Sequence, residues 1–327
     1  MCRIIAVSLL VATNVVVTLA YNNQLQRPLA SPSSRRSALE TTGLAFVTSL
    51  LPPSSAMADE EGQEVVVQVS GDAKKLFNEG RAYESQGNML AAQRVYNKVT
   101  LISPRFVYGW SNLGNTQTAL GDLDAADASY TKAIDLCEES IRQAEVSGGG
   151  RKCGDMYVLL LNRGSIRLNN GMVQESLQDL ARSDSLRGRP DAIVLQNLAR
   201  AKELNGMYSS ADRDYATAIS MTSNEVNPFW LRAALVKYQL GDVKGAYDIF
   251  QRVENRFPEA PEVRAAYAVL LAARGDQIAG QRKFLEIPDR QRLKYSDETY
   301  VKKVIAWPPA MREGLYKIRQ AVGDVAS

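Results

Sequence analysis

Small, aromatic and apolar residues return along this chain at fixed distances from a recurring glycine. Gly87, Gly121, Gly171, Gly206, Gly241 and Gly275 stand 34, 50, 35, 35 and 34 residues apart, and the fifty is one 34-residue period with sixteen residues inserted. Residues 73–106 carry Gly80, Tyr83, Ala92, Tyr96 and Pro104, and 107–140 carry Trp110, Leu113, Gly114, Ala126, Tyr130 and Ala133. Residues 192–225 carry Leu198, Ala199, Ala211, Tyr215 and Ala218, and 227–260 carry Trp230, Ala246, Phe250 and Pro258. Two blocks are sparser: 157–190 keeps Gly164, and 261–287 keeps Gly275 and Phe284. The physical content of the pattern is packing. A small residue lets two helices approach, an aromatic fills the space between blocks, and proline ends a helix because it has no N–H to donate. Glycine fits the turn between helices, where the backbone needs a conformation most residues avoid.

A 34-residue period with these residues resembles the tetratricopeptide repeat, two antiparallel helices per unit. The resemblance spans about 215 residues. It implies an all-α, right-handed solenoid of about six helix pairs with a concave inner face. The units are 73–106, 107–140, 157–190, 192–225, 227–260 and 261–287, with an insertion at 141–156. A degenerate last unit suits a capping role, which a solenoid needs for solubility. An acidic linker, 59–72, precedes the stack, and Ser70 or Asp72 can cap its first helix. The tail, 288–327, has no repeat phase and reads as a short helical cap. Met311, Leu315, Ile318 and Val322 fall at helical spacing there, and Pro308-Pro309 separates that helix from Val301–Trp307. Trp307 is either a plug packed on the last unit or a docking surface.

In the family the first helix of each unit lines the groove. One groove position here reads Asn78, Asn112, Asn162, Asn197 and then Arg232. An asparagine offers a donor and an acceptor, so a ladder of them can hold the backbone of an extended peptide without reading its sequence. The same asparagines also fit ordinary repeat packing. Three residues further along the same helical face stand Arg81, Asn115, Ser165 and Arg200. Arg81, Arg200 and Arg232 are expected to meet carboxylates of a partner or to lie solvated. A protein or peptide is the partner this reading implies.

The inserted stretch runs through Gly148, Gly149 and Gly150 without a phosphate-loop motif. Cys137 and Cys153 bracket it, and either close a disulfide or leave Cys137 a buried free thiol. Two cysteines and no histidine cannot make a structural zinc site, and the lack of histidine also removes the commonest general base. Nothing in the chain implies a cofactor or an enzyme. The tail, with Tyr295, Asp297 and Glu298, forms no recognisable catalytic set.

Residues 1–58 read as a cleaved presequence in three parts. Arg3 and the apolar stretch Ile4–Leu19 end at Thr18-Leu19-Ala20, like a signal peptide. Residues 21–37 are rich in Ser, Pro and Arg and free of acids, like a transit peptide. Arg35-Arg36, an apolar run and Ala56-Met57-Ala58 resemble a twin-arginine export signal, after which Asp59 would begin the mature chain. In this order, with Tyr21 after the first cut, the segments resemble presequences of lumenal proteins in algae with secondary plastids. The repeats and the address together resemble tetratricopeptide proteins of the thylakoid lumen. That resemblance implies a scaffold assisting assembly or maintenance of a photosynthetic complex, the alternative being a secreted or endomembrane adaptor. The formal charge of +3 is concentrated in 1–58, which leaves 35 basic and 35 acidic residues in 59–327. A neutral body gives no electrostatic case for nucleic acid or an anionic membrane, and no membrane span is expected in the mature chain.

Overall fold

The computed structural model describes residues 70–147, 153–222 and 225–323. The presequence reading, nearly all of the acidic linker and the three glycines of the insertion lie outside the described residues. Within them the regular elements are helices. They run α1 (Gly71–Ser85), α2 (Met89–Ile102), α3 (Val107–Leu120), α4 (Leu123–Val146), α5 (Met156–Asn169) and α6 (Val173–Arg187). They continue with α7 (Ala192–Leu204), α8 (Tyr208–Met221), α9 (Phe229–Gln239), α10 (Val243–Arg256), α11 (Pro261–Ala273) and α12 (Gln277–Leu285). A short helix α13 (Asp289–Arg292), a 3-10 turn (Leu293–Ser296) and a π turn (Tyr300–Val304) lead to α14 (Pro309–Val322). The helices form two compact units, with α1–α6 in unit 1 and α7–α14 in unit 2.

The turns explain why the helices come in pairs. All six phased glycines have positive φ, between 74° at Gly206 and 99° at Gly275, the left-handed region that favours glycine. Four of them are followed by Asn or Asp, and that side chain starts the next helix. Asn88 accepts from the Ala91 N–H at 3.2 Å, Asp122 from Ala125 at 3.3 Å, Asp242 from Gly245 at 2.8 Å and Asp276 from Ala279 at 2.9 Å. A Gly-Asx pair therefore stops one helix and caps the next. Ser70 caps α1 in the same way, accepting from Ala73 at 3.2 Å.

Within unit 1, α1–α2, α3–α4 and α5–α6 are packed pairs, and each pair packs on the next. Within unit 2, α7–α8, α9–α10 and α11–α12 do the same, and the first helices α7, α9 and α11 also touch in sequence. Close approach depends on a small residue in the first helix facing a large one in the second. A Cβ on Gly80 would stand 2.5 Å from the Tyr96 ring, and one on Gly114 3.0 Å from the Tyr130 ring. In the sparse third pair Leu180 replaces the aromatic, 2.8 Å from a Cβ on Gly164. Unit 2 uses alanine at the same repeat position, with Ala199 and Ala234 buried in one cluster with Tyr215 and Phe250. Burying each of these large side chains contributes roughly 2–3 kcal/mol.

The insertion lengthens α4 to 24 residues, and a disulfide joins Cys137 on α4 to Cys153, with 5.5 Å between the Cα atoms. Of the two arrangements open to these cysteines, the structure has the bonded one. The tail also has a definite place. Helix α14 packs on α9, α11 and α12, burying Met311, Leu315 and Ile318, and Gly314 admits Val269 so closely that no Cβ would fit. Trp307 is buried, so it is the packed plug rather than an open docking surface.

Gly80→Ala is expected to cost about 1–3 kcal/mol by forcing α1 and α2 apart, read as a fall in the urea midpoint at unchanged slope. Alkylation of the unreduced protein is expected to leave Cys137 and Cys153 unlabelled. Reduction should remove about 3 kcal/mol from the loop-closure entropy of the fifteen intervening residues, seen as a lower Tm in reductant.

Candidate functional site

The predicted groove positions all fall on first helices, but their environments differ along the chain. Asn78 and Arg81 on α1 are exposed. Asn112 on α3 is buried and donates from Nδ2 to the Tyr96 hydroxyl at 3.1 Å, and that hydroxyl donates to Glu84 at 2.6 Å. Asn115, one turn on, accepts from the Tyr130 hydroxyl at 2.6 Å and from Asn162 Nδ2 on α5 at 3.4 Å. Asn112, Asn115 and Asn162 thus form a polar seam with the tyrosines of the second helices, which Asn78 does not join. Beside this seam, the buried hydroxyls of Ser111 on α3 and Ser165 on α5 have no hydrogen-bond partner. Helix α5 is fixed laterally by Arg163, which forms a two-pronged pair with Asp179 of α6, and by Arg167, which bridges Asp179 and Asp127 of α4.

Burial pushes the pKa of Glu84 up to about 7, against the smaller opposing pull of the Tyr96 hydrogen bond and of Arg81. Burial, reinforced by the neighbouring Glu84 charge, also pushes the Tyr96 phenol up. The Tyr96 hydroxyl therefore stays protonated and directs one hydrogen bond into Glu84.

Unit 2 carries the rest of the expected ladder. Asn197 on α7 is fully buried and donates to the Ile193 carbonyl at 2.8 Å, while its Oδ1 has no partner. Arg200 and Arg232, expected to meet carboxylates of a partner, meet carboxylates of their own chain instead. Arg200 pairs with Glu203 at 2.8 Å, one turn along α7. Arg232 on α9 pairs with the same Glu203 and lies 3.7 Å from Glu262 on α11. The Tyr215 hydroxyl donates to Glu203 at 2.9 Å. Burial alone would raise the Glu203 pKa, but Arg200 and Arg232 overcome it and hold the carboxyl below its ordinary range. At Glu262 burial prevails over Arg232, and the pKa lies above the ordinary value.

The tail completes this cluster. Arg232 donates from Nη1 to the Ile305 carbonyl at 3.0 Å and from Nη2 to the Ala306 carbonyl at 2.8 Å. The Trp307 indole N–H donates to Glu262 at 2.9 Å, and the Ala310 N–H to the Gln239 side chain at 2.8 Å. Glu203, Glu262 and Trp307 are the residues that reading groove positions alone missed. A signal for Glu203 existed: Arg81-x-x-Glu84 and Arg200-x-x-Glu203 occupy the same places in their repeats, each with a tyrosine twelve residues after the glutamate. Among the described residues no group of three or more His, Cys, Asp or Glu is placed to hold a metal ion, and no helix is long and apolar enough to cross a membrane.

The raised pKa gives the contribution of Glu84 to stability a definite sign. Its folded pKa exceeds the ordinary 4.5, so the stabilisation is complete below about pH 4.5 and disappears as pH rises through about 7. The Tm of the wild type should therefore fall relative to that of Glu84→Gln between about pH 5 and pH 8. Parallel Tm curves for the two proteins would contradict this.

Comparison with known proteins agrees with the geometry. Tetratricopeptide-repeat family models match residues 74–106 and 107–140, and a further one matches 230–260. A tetratricopeptide repeat protein from Parabacteroides merdae ATCC 43184 superposes with TM-score 0.50 at 17% identity, over 78% of this chain and 93% of that one. The APC/C hetero-tetramer Cut9-Hcn1 also superposes with TM-score 0.50, at 14% identity, over 75% of this chain and 42% of that one. At such identities these likenesses concern the fold alone. No curated protein matches the sequence. The helix pairs and their left-handed glycine turns give an all-α fold of paired helices, and the matched segments within it are tetratricopeptide repeats.

Proposed function

We propose that the protein is a non-catalytic scaffold that holds an extended segment of a protein partner along the first helices of unit 1. The observation that carries this reading is the polar seam on α3 and α5. Asn112, Asn115 and Asn162 are held in fixed orientation by the tyrosine hydroxyls, and Ser111 and Ser165 bring two hydroxyls with no partner inside the protein. Asn112 and Asn162 are themselves buried and brace the seam, and the part-exposed Asn115 among them offers a donor and an acceptor to a peptide backbone without a demand on its sequence. Exposed Asn78 and Arg81 extend it along α1, where Arg81 suits a carboxylate on the partner.

The site of action we propose is the thylakoid lumen, and the task the assembly or maintenance of a photosynthetic complex. The three-part pattern of residues 1–58 supports the address, and the Cys137–Cys153 bond supports an oxidising compartment. A secreted or endomembrane adaptor would share the chemistry and differ in address.

Affinity capture from thylakoid extract, with 59–327 as bait, is expected to retain a membrane-complex subunit or its assembly intermediate. Asn112→Ala combined with Asn162→Ala should weaken that capture about tenfold or more, with helical circular dichroism unchanged. Undiminished capture by the double variant would remove the seam from the reading. A mature N-terminus at Tyr21 rather than near Asp59 would remove the lumenal address.

A further inference from the structure

Two repeats of this chain hold the same three residues in the same register, and only one of the two sets has its charge balanced. Arg81, Glu84 and Tyr96 on α1 and α2 correspond to Arg200, Glu203 and Tyr215 on α7 and α8, with identical spacing. In both, the tyrosine hydroxyl of the second helix donates to the glutamate of the first, at 2.6 Å to Glu84 and 2.9 Å to Glu203. In both, the ladder residue of the next repeat reaches the tyrosine or the glutamate. That residue is Arg232 in unit 2 and Asn112 in unit 1, and there the two sites part.

The Glu203 carboxylate is held between two guanidinium groups, those of Arg200 and Arg232. It is almost fully buried, yet its pKa lies below the ordinary value. At Glu84 the place of Arg232 is taken by Asn112, whose shorter side chain ends on the Tyr96 hydroxyl at 3.1 Å. Arg81, the counterpart of Arg200, is exposed and acts on Glu84 as a nearby charge. Burial outweighs it, and the Glu84 pKa rises to about 7. Glu84 is nevertheless only partly buried by its neighbours and can be reached from solvent, unlike Glu203.

The chain's own arrangement at Glu203 shows what would balance Glu84. Tyr96 engages Oε2 of Glu84, so a planar guanidinium can approach Oε1 without displacing the phenol. Its remaining donors would be answered by main-chain carbonyls, as those of Arg232 are by Ile305 and Ala306. The positive charge of Arg81 does not bar a second cation, because Glu203 already holds two.

We infer that Glu84 is a specificity-determining residue that takes an arginine side chain of the partner protein, which supplies in unit 1 the guanidinium that Arg232 supplies within unit 2. The inference rests on the reading that the partner lies along the first helices of unit 1. It adds a chemical demand that the asparagine seam by itself does not make.

The full chain is titrated at pH 8, above the Glu84 pKa of about 7, with two short fluorescent peptides of glycine and serine. One has arginine at its centre and the other citrulline, which has nearly the same shape and no charge. The arginine peptide should bind about tenfold or more tighter. In Glu84→Gln the two should bind alike. In Asn112→Arg the chain fills the site from within, so the preference should again vanish, and the Glu84 carboxyl followed by NMR should titrate lower than in the wild type. Equal binding of the two peptides to the wild type would overturn the arginine site and leave the groove standing. Binding of neither would remove the groove reading and this inference with it. A preference that survives Glu84→Gln would overturn the assignment, as would an unmoved Glu84 titration in a folded Asn112→Arg variant. Should Asn112→Arg not fold, the comparison with Glu84→Gln decides.

Discussion

Every helix pair depends on one steric relation, a large side chain on the second helix lodged against a residue with little or no side chain on the first. Tyr96 against Gly80 and Tyr130 against Gly114 leave no room for a methyl group without displacement. Because the contact is with glycine, the two helices of the pair can approach closely. The left-handed glycine turns make that approach possible, and the Gly-Asx sequence fixes where the second helix begins.

The same relation explains why the polar residues lie where they do. A tyrosine pushed across the pair delivers its hydroxyl to the far side of the first helix. In unit 1 it arrives at Glu84 and Asn112, or at Asn115; in unit 2 it arrives at Glu203. Asn112, a residue of the ladder, is therefore also the partner of a buried phenol. Unit 2 modifies the scheme by placing Arg232 where asparagine stood. A buried guanidinium has more donors than one carboxylate can answer, and the tail carbonyls supply the balance. Replacement of one ladder residue thus adds directional contacts to a tail that also packs its apolar face on α9, α11 and α12.

Much of this was readable from spacing. The 34-residue period, the small and aromatic positions and the phased glycines identify the pairs because each reflects contact between residues close in sequence, within one repeat or its neighbour. Asn112 and Asn162 were found as candidate residues for the same reason, since a repeat position carries its geometry with it. The burial of these side chains was not readable. A position on a helix face says which way a side chain points, while burial depends on what other segment covers that face.

Periodicity and local turn chemistry were enough to establish the all-α repeat fold and to place the candidate positions on first helices. The pairing of Cys137 with Cys153 stayed open because the insertion has no repeat phase to set the distance between its ends. The partners of Arg232 and Trp307 stayed open because they are joined across 73 and 45 residues, from the aperiodic tail to α9 and α11. Interactions within a period recur and so leave a trace in spacing. A contact made once, between segments far apart in the chain, leaves none, and only the folded arrangement brings its charges and carbonyls together.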